Sequence, residues 1–201
     1  MTSQQSLNTM IMKQPLKTFL EIIKKNTYGN QLTIDFNSHY IVLQTIYREN
    51  YGYSIIDEHS LEIIKNYIIG KKTLEINCGK GHWSYCLRLL GCDIITTDLF
   101  TQDSSWITVE QLDAVSAVEK YNCECSVLFC SWPDYNKDYA FEALRRFTGD
   151  TVIYIGEGKT GMCATDSFFD YLKQYYQKLE IENTLQSWPF VNDSLSIYKK
   201  K

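Results

Sequence analysis

Between Thr73 and Asp98 the chain reads as a strand, a glycine turn, an amphipathic helix and a second strand that ends on an acid. Leu74 and Ile76 supply the apolar positions of the first strand, which stops at Asn77-Cys78-Gly79-Lys80-Gly81. Trp83, Cys86, Leu87 and Leu90 then recur at helical spacing, and Gly91 stands where a helix C-terminal glycine belongs. Ile94 and Ile95 open the next strand. This is a βαβ unit, from which nucleotide-type cofactor sites are built, and it constrains the fold more than any other stretch.

The spacing inside the unit has a chemical reading. Gly79 and Gly81 let the backbone turn sharply and let a ligand approach the main chain with no Cβ in the way. The second strand delivers Asp98 to the carboxyl edge of the sheet, 17 residues after Gly81. A carboxylate there can accept both hydroxyls of a ribose, as in dinucleotide sites with an acid about 20 residues past the turn. A dinucleotide fingerprint would place a third glycine where this chain has Ser84, and its helix faces a pyrophosphate. Glu75, before the turn, repels a phosphate but suits the amino group of a cofactor with an amino-acid tail. A nicotinamide oxidoreductase is therefore the weaker reading.

Glu75-Ile-Asn-Cys-Gly-Lys-Gly81 resembles the E-x-G-x-G-x-G motif of class I S-adenosylmethionine-dependent methyltransferases. Tyr53-Ser-Ile-Ile-Asp57, Gly81-His-Trp83, Leu128-Phe-Cys-Ser-Trp-Pro133, Gly149 to Glu157 and Trp188-Pro189 are similar to blocks of a methyltransferase-like family of microbial eukaryotes and large viruses. The resemblance spans residues 50 to 200. It implies S-adenosylmethionine as cofactor, held by Tyr53, Glu75, Asn77, Cys78, Gly79, Gly81, Asp98, Asp113 and Ala114. Asn77 replaces the first motif glycine, and Asn is the residue that best tolerates positive φ after glycine.

The rest of the chain has the organisation of one α/β domain. Residues 1 to 13 are polar and aperiodic and read as a disordered lead. Residues 14 to 70 read as three helices. Leu16, Phe19, Leu20 and Ile23 mark the first, and a second runs from His39 to Arg48 with Ile41, Val42 and Ile46 inward. The third is capped by Asp57, has Leu61, Ile64 and Ile68 on one face, and ends at Gly70. The resemblance implies that such segments commonly lid the cofactor site or shape the substrate mouth. From 71 to 201, strands are expected at 73–77, 93–97, 106–109, 126–130, 151–155, 180–185 and 194–199. Helices are expected at 82–90, 111–121, 137–147 and 166–178. Alternating strands and helices predict a Rossmann-like, mainly parallel seven-stranded sheet with helices on both faces. The last two strands lack an intervening helix, so the final strand is expected to be antiparallel.

Candidate acceptor-side residues follow the later strands. Ser131-Trp132-Pro133-Asp134-Tyr135 stands where amino-group methyltransferases carry a D/N-P-P-Y motif, with Trp132 in place of the polar first residue. The resemblance leaves the Pro133 carbonyl and the Trp132 and Tyr135 faces for the acceptor or, by cation–π attraction, for a sulfonium. The plainer alternative is that Trp132 plugs the core and Pro133 ends the strand. Glu157, in Gly156-Glu157-Gly158-Lys159-Thr160-Gly161, is a candidate base or substrate anchor, or else an ordinary loop acid. Asp113 either faces an adenine or caps the next helix. Trp188-Pro189 is a candidate wall of the substrate pocket.

Charge and cysteine content narrow the classes further. A net charge of −4 argues against an extended duplex-DNA footprint, although an RNA end or a flipped base needs few charges. No apolar run approaches the ~20 residues that span a bilayer, and the N-terminus lacks a signal-peptide core. A cytosolic or viral-factory location is expected, with no membrane partner. Seven cysteines without C-x-x-C pairs read as buried thiols, not as a disulfide or zinc framework, so no metal is expected. The sequence thus points to S-adenosylmethionine-dependent methyl transfer to a small molecule, a protein side chain or a nucleic-acid end, a small or planar acceptor being the best fit. The alternative is a catalytically inactive methyltransferase-fold binding or structural subunit.

Overall fold

The computed structural model of the chain describes residues 36–181 and 185–201. The expected lead and the helix around Leu16–Ile23 lie outside these residues. Helices α1 (Phe36–Tyr51) and α2 (Glu58–Ile68) precede β1 (Lys72–Ile76). There follow α3 (His82–Leu89), β2 (Asp93–Asp98), β3 (Glu110–Gln111), α4 (Ala114–Tyr121), β4 (Val127–Ser131) and α5 (Tyr139–Arg146). The chain ends with β5 (Thr151–Gly156), α6 (Asp166–Tyr175), β6 (Tyr176–Lys178) and β7 (Ser194–Lys200). The strands form one seven-stranded sheet in the order β3-β2-β1-β4-β5-β7-β6. The first five pair in parallel, and β7 runs antiparallel to both β5 and β6.

Alternation along the central strands builds two cores, one on each face of the sheet. Leu128, Cys130, Val152 and Tyr154 meet α4, α5 and α6 through Ala117, Val118, Ala143, Leu144, Phe168 and Leu172. Val127, Phe129, Ile153 and Ile155 point the other way, onto Leu61, Ile64 and Ile68 of α2 and Trp83, Cys86 and Leu87 of α3. Both faces being covered, the strands read as nearly continuous apolar runs. Asp57 caps α2 as expected, accepting the Ser60 N–H and the Ser60 hydroxyl, each at 2.8 Å.

Three expectations are corrected. The segment 106–109 is irregular, and β3 is the two-residue edge pairing Glu110–Gln111 opposite Thr97–Asp98. Helix α6 stops at Tyr175 and the chain passes directly into β6 at Tyr176–Lys178, upstream of the expected 180–185. Ile41 and Ile46 of α1 are exposed, and Tyr47 is the residue that turns inward. Its ring packs on Tyr51 at 4.8 Å and edge-on to Trp188 at 5.3 Å. No helix among the described residues is long and apolar enough to cross a membrane.

Candidate active site

Strand order reverses between β1 and β4, since β2 and β3 extend from one side of β1 and β5, β7 and β6 from the far side of β4. Crevices for ligands open at such switch points, beyond the carboxyl ends of the strands. A cavity of about 1030 Å³ lies there. Asn77–Lys80 of the glycine turn, Asp98, Asp113–Ala114, Ser131–Tyr135 and residues Arg48, Glu49 and Tyr51–Ser54 line it.

The turn after β1 is built from alternating left-handed residues: Asn77 at φ 49°, Gly79 at 58° and Gly81 at 72°. A Cβ on Gly81 would stand 2.5 Å from the Ile107 Cγ2, so this glycine is required by packing as well as by φ. A Cβ on Gly79 would meet nothing within 4 Å, which leaves the main chain bare toward the cavity. Asn77 takes the third left-handed position, and its side-chain amide donates to the Ser131 carbonyl at 2.8 Å. The Asn77 Oδ1 accepts the Cys130 thiol at 3.1 Å. Cys78 lies in the same wall, half-buried, and burial pushes its thiol well above the ordinary range.

Asp98 ends β2 at the cavity. Its Oδ2 accepts the Gly79 N–H at 2.8 Å and its Oδ1 the Phe100 N–H at 2.9 Å. Each oxygen keeps a lone pair for a further donor. Asp113 lines the cavity and caps α4. Its Oδ1 accepts the Val115 and Ser116 N–H groups at 3.0 and 2.9 Å, and its Oδ2 the Ser116 hydroxyl at 2.6 Å. These bonds hold its carboxyl below the usual carboxylate range.

Glu75 does not line the cavity. Its side chain is buried behind the turn, where its Oε2 accepts the Ser84 hydroxyl of α3. Burial pushes its carboxyl up to about 8, and nearby Asp98 adds to the shift. The expected reach of Glu75 toward a cofactor amino group is thus replaced by an internal tie between β1 and the first turn of α3. The reason is strand alternation: Glu75 points onto a covered face of the sheet, one residue short of the carboxyl edge.

Trp132 and Tyr53, which both line the cavity, stack with ring centroids 5.3 Å apart and planes 17° from parallel. The Arg48 guanidinium lies 5.3 Å over the other ring partner, Tyr53. Tyr135 is 43% exposed at the same mouth. The Pro133 carbonyl accepts the Ala164 N–H at 2.9 Å. Glu157 likewise lies away from the cavity wall. Its Oε2 accepts the Met162 N–H at 2.7 Å and its Oε1 the Asn192 N–H at 3.1 Å, so the carboxylate staples two loops together. Trp188 is buried against Tyr47 and forms no part of the wall.

Several wall residues carried no local signal. Arg48, Phe100 and Tyr139 reach the cavity from three different segments. His82 is also there, buried between Tyr51 and Trp106 with centroids at 5.1 and 4.7 Å. Neither of its nitrogens has a hydrogen-bond partner among the described residues, and burial lowers its pKa to about 4.

No family model matches the sequence, and no curated protein matches it either. Solved structures do match in fold. Magnesium protoporphyrin IX methyltransferase from Synechocystis, with bound S-adenosylmethionine, aligns over 86% of this chain and 100% of its own, at 10% identity and a TM-score of 0.51. The chain shares the Rossmann-like, seven-stranded fold of this protein. A second methyltransferase structure, 1,6-didemethyltoxoflavin-N1-methyltransferase from Burkholderia thailandensis with its substrate and S-adenosylhomocysteine, covers 86% of this chain and 93% of its own, at 9% identity and a TM-score of 0.52. TehB from Haemophilus influenzae aligns over 79% of this chain and 67% of its own, at 13% identity and a TM-score of 0.51.

Proposed function

We propose that this protein transfers a methyl group from S-adenosylmethionine to a small or planar acceptor. One observation carries the reading: Gly79, Asp98 and Asp113–Ala114 line a single cavity at the switch point together with Tyr53, Trp132 and Tyr135. The residues present fit the cofactor. The bare main chain at Gly79 admits close approach, Asp98 keeps lone pairs for ribose hydroxyls, and Ala114 leaves room for a flat base. When bound, the cofactor supplies an already activated methyl group on a sulfonium. What the chain contributes is orientation, which in well-aligned reactions is worth effective molarities of ~10⁵ M or more.

The acceptor side is aromatic and sparsely charged. Tyr53, Trp132 and Tyr135 offer ring faces, and the basic side chains in the wall are Arg48, Lys80 and Lys137. That set suits a ring-bearing small molecule, one exposed side chain, an RNA end or a single flipped base. It does not suit duplex DNA, whose phosphates call for many cationic contacts. Two of the fold neighbours are named for ring-containing acceptors, which supports the same class. The sequence likeness to a family of microbial eukaryotes and large viruses supports a cytosolic or viral-factory setting.

Isothermal titration with S-adenosylmethionine and S-adenosylhomocysteine tests the cofactor half of the proposal. Absence of binding at millimolar ligand overturns it. Tritiated-methyl transfer into separated small-molecule, protein and RNA fractions of a cell extract tests the acceptor half. Transfer to any fraction also excludes a catalytically inactive subunit of this fold.

A further inference from the structure

Trp132 is held in a way that its neighbours in the sheet do not require. It is the first residue past β4, with φ at 50°, a region that costs a bulky side chain roughly 1–2 kcal/mol. Its N–H donates to the Ile155 carbonyl at 2.7 Å, which extends the β4–β5 ladder by one bond and fixes the strained backbone. The indole Nε1–H donates to Asp193 Oδ2 at 3.2 Å, across 61 positions of sequence. Asp193 is only 6% exposed, and its Oδ1 accepts no hydrogen bond among the described residues. A buried carboxylate with so few partners is costly unless it serves a purpose. Its own backbone is pinned, since the Asp193 carbonyl accepts the Ser187 hydroxyl at 3.1 Å just before β7 begins.

We propose that Asp193 is a positioning residue for the acceptor subsite: it clamps the Trp132 indole so that the ring lies parallel to Tyr53 at the cavity wall. The inference rests on the methyl-transfer reading for its functional part. Packing against the two cores confines the indole but carries no directional preference for its ring edge. The directional hydrogen bond from the ring nitrogen to Asp193 selects the orientation and sets the plane against which a planar acceptor packs. Asp193 touches neither acceptor nor cofactor in this arrangement and acts only through Trp132.

The test uses the full-length chain. The Trp132 indole N–H is assigned in ¹H–¹⁵N spectra by its loss in Trp132→Phe, and the signals of Trp83, Trp106 and Trp188 report whether each variant is folded. Asp193→Ala is expected to speed hydrogen exchange of the Trp132 indole about tenfold, whereas Asp193→Asn, which keeps an acceptor oxygen, restores most of the protection. With tritiated S-adenosylmethionine and a cell-extract fraction as methyl acceptor, Asp193→Ala raises the half-saturating amount of that fraction about two- to tenfold, while S-adenosylhomocysteine affinity stays at the wild-type value. Trp132→Phe has the same effect, and the double variant is no worse than either single one. Unchanged exchange in Asp193→Ala, or additive losses in the double variant, overturns the proposal. If Asp193→Ala unfolds, Trp132→Phe decides alone, because wild-type half-saturation in that variant also overturns it. Failure of the wild-type chain to bind S-adenosylhomocysteine would remove the methyl-transfer reading, and the exchange experiment would still decide whether Asp193 holds the indole.

Discussion

The Asn77 side-chain amide donates to the Ser131 main-chain carbonyl at 2.8 Å and so ties the end of β1 to the end of β4. The tie crosses the switch point just beyond the last paired residues of the two strands, Ile76 and Cys130. A glycine at position 77 would make the turn with less strain but could not make this bond. Asn77→Ala, which loses the amide and keeps the strain, is expected to lower stability by about 1–3 kcal/mol. Asn77→Gly should lose less, because it relieves the positive φ. Urea denaturation with an unchanged slope checks both.

Asp98 joins the turn to the cavity through its bonds to Gly79 and Phe100. Asp98→Ala is expected to weaken S-adenosylhomocysteine binding by about 1–3 kcal/mol in calorimetric titration. Asp98→Asn should fall between the two, since one oxygen remains to accept.

The two motif glycines predict different defects. Gly81→Ala forces a Cβ to 2.5 Å from Ile107 at a left-handed φ, and should lower the melting temperature by more than Gly79→Ala. Gly79→Ala meets no atom within 4 Å, so its excess loss should appear in cofactor affinity.

Two buried groups give stability opposite dependences on pH. The Glu75 carboxyl is raised from 4.5 to about 8, so the folded chain holds a proton that the unfolded chain releases. Stability therefore falls as pH rises from about 4.5 to about 8, and Glu75→Gln should flatten that decline. His82 is lowered from 6.5 to about 4, so the unfolded chain binds the extra proton and stability falls as pH drops through that window. His82→Phe should remove the acid-side loss. Chemical denaturation of both variants between pH 4 and 8 separates the two effects.

Glu157 accepts two backbone N–H groups from loops 5 and 35 residues away. Glu157→Gln keeps an acceptor for one of them and is expected to cost about 1 kcal/mol of stability while leaving methyl transfer within a few-fold of wild type. A loss of transfer at unchanged stability would return Glu157 to the acceptor chemistry.

Local patterns in the sequence determined the βαβ unit, its glycine turn and the acid that ends β2, because each depends on neighbours within a helical turn or a strand. The Asp57 cap and the apolar alternation of β4 and β5 belong to the same class. Tertiary structure alone decided the short edge strands β3 and β6, whose two and three residues carry no period of their own. It also decided which acids serve a ligand. Glu75, Asp98 and Glu157 look equally available in sequence, yet only Asp98 lines the cavity, while the other two bind a helix turn and two loops. The partners that settle these roles, Ser131 for Asn77 and Asp193 for Trp132, lie 54 and 61 residues away, and no local preference can encode a bond closed only when the sheet assembles.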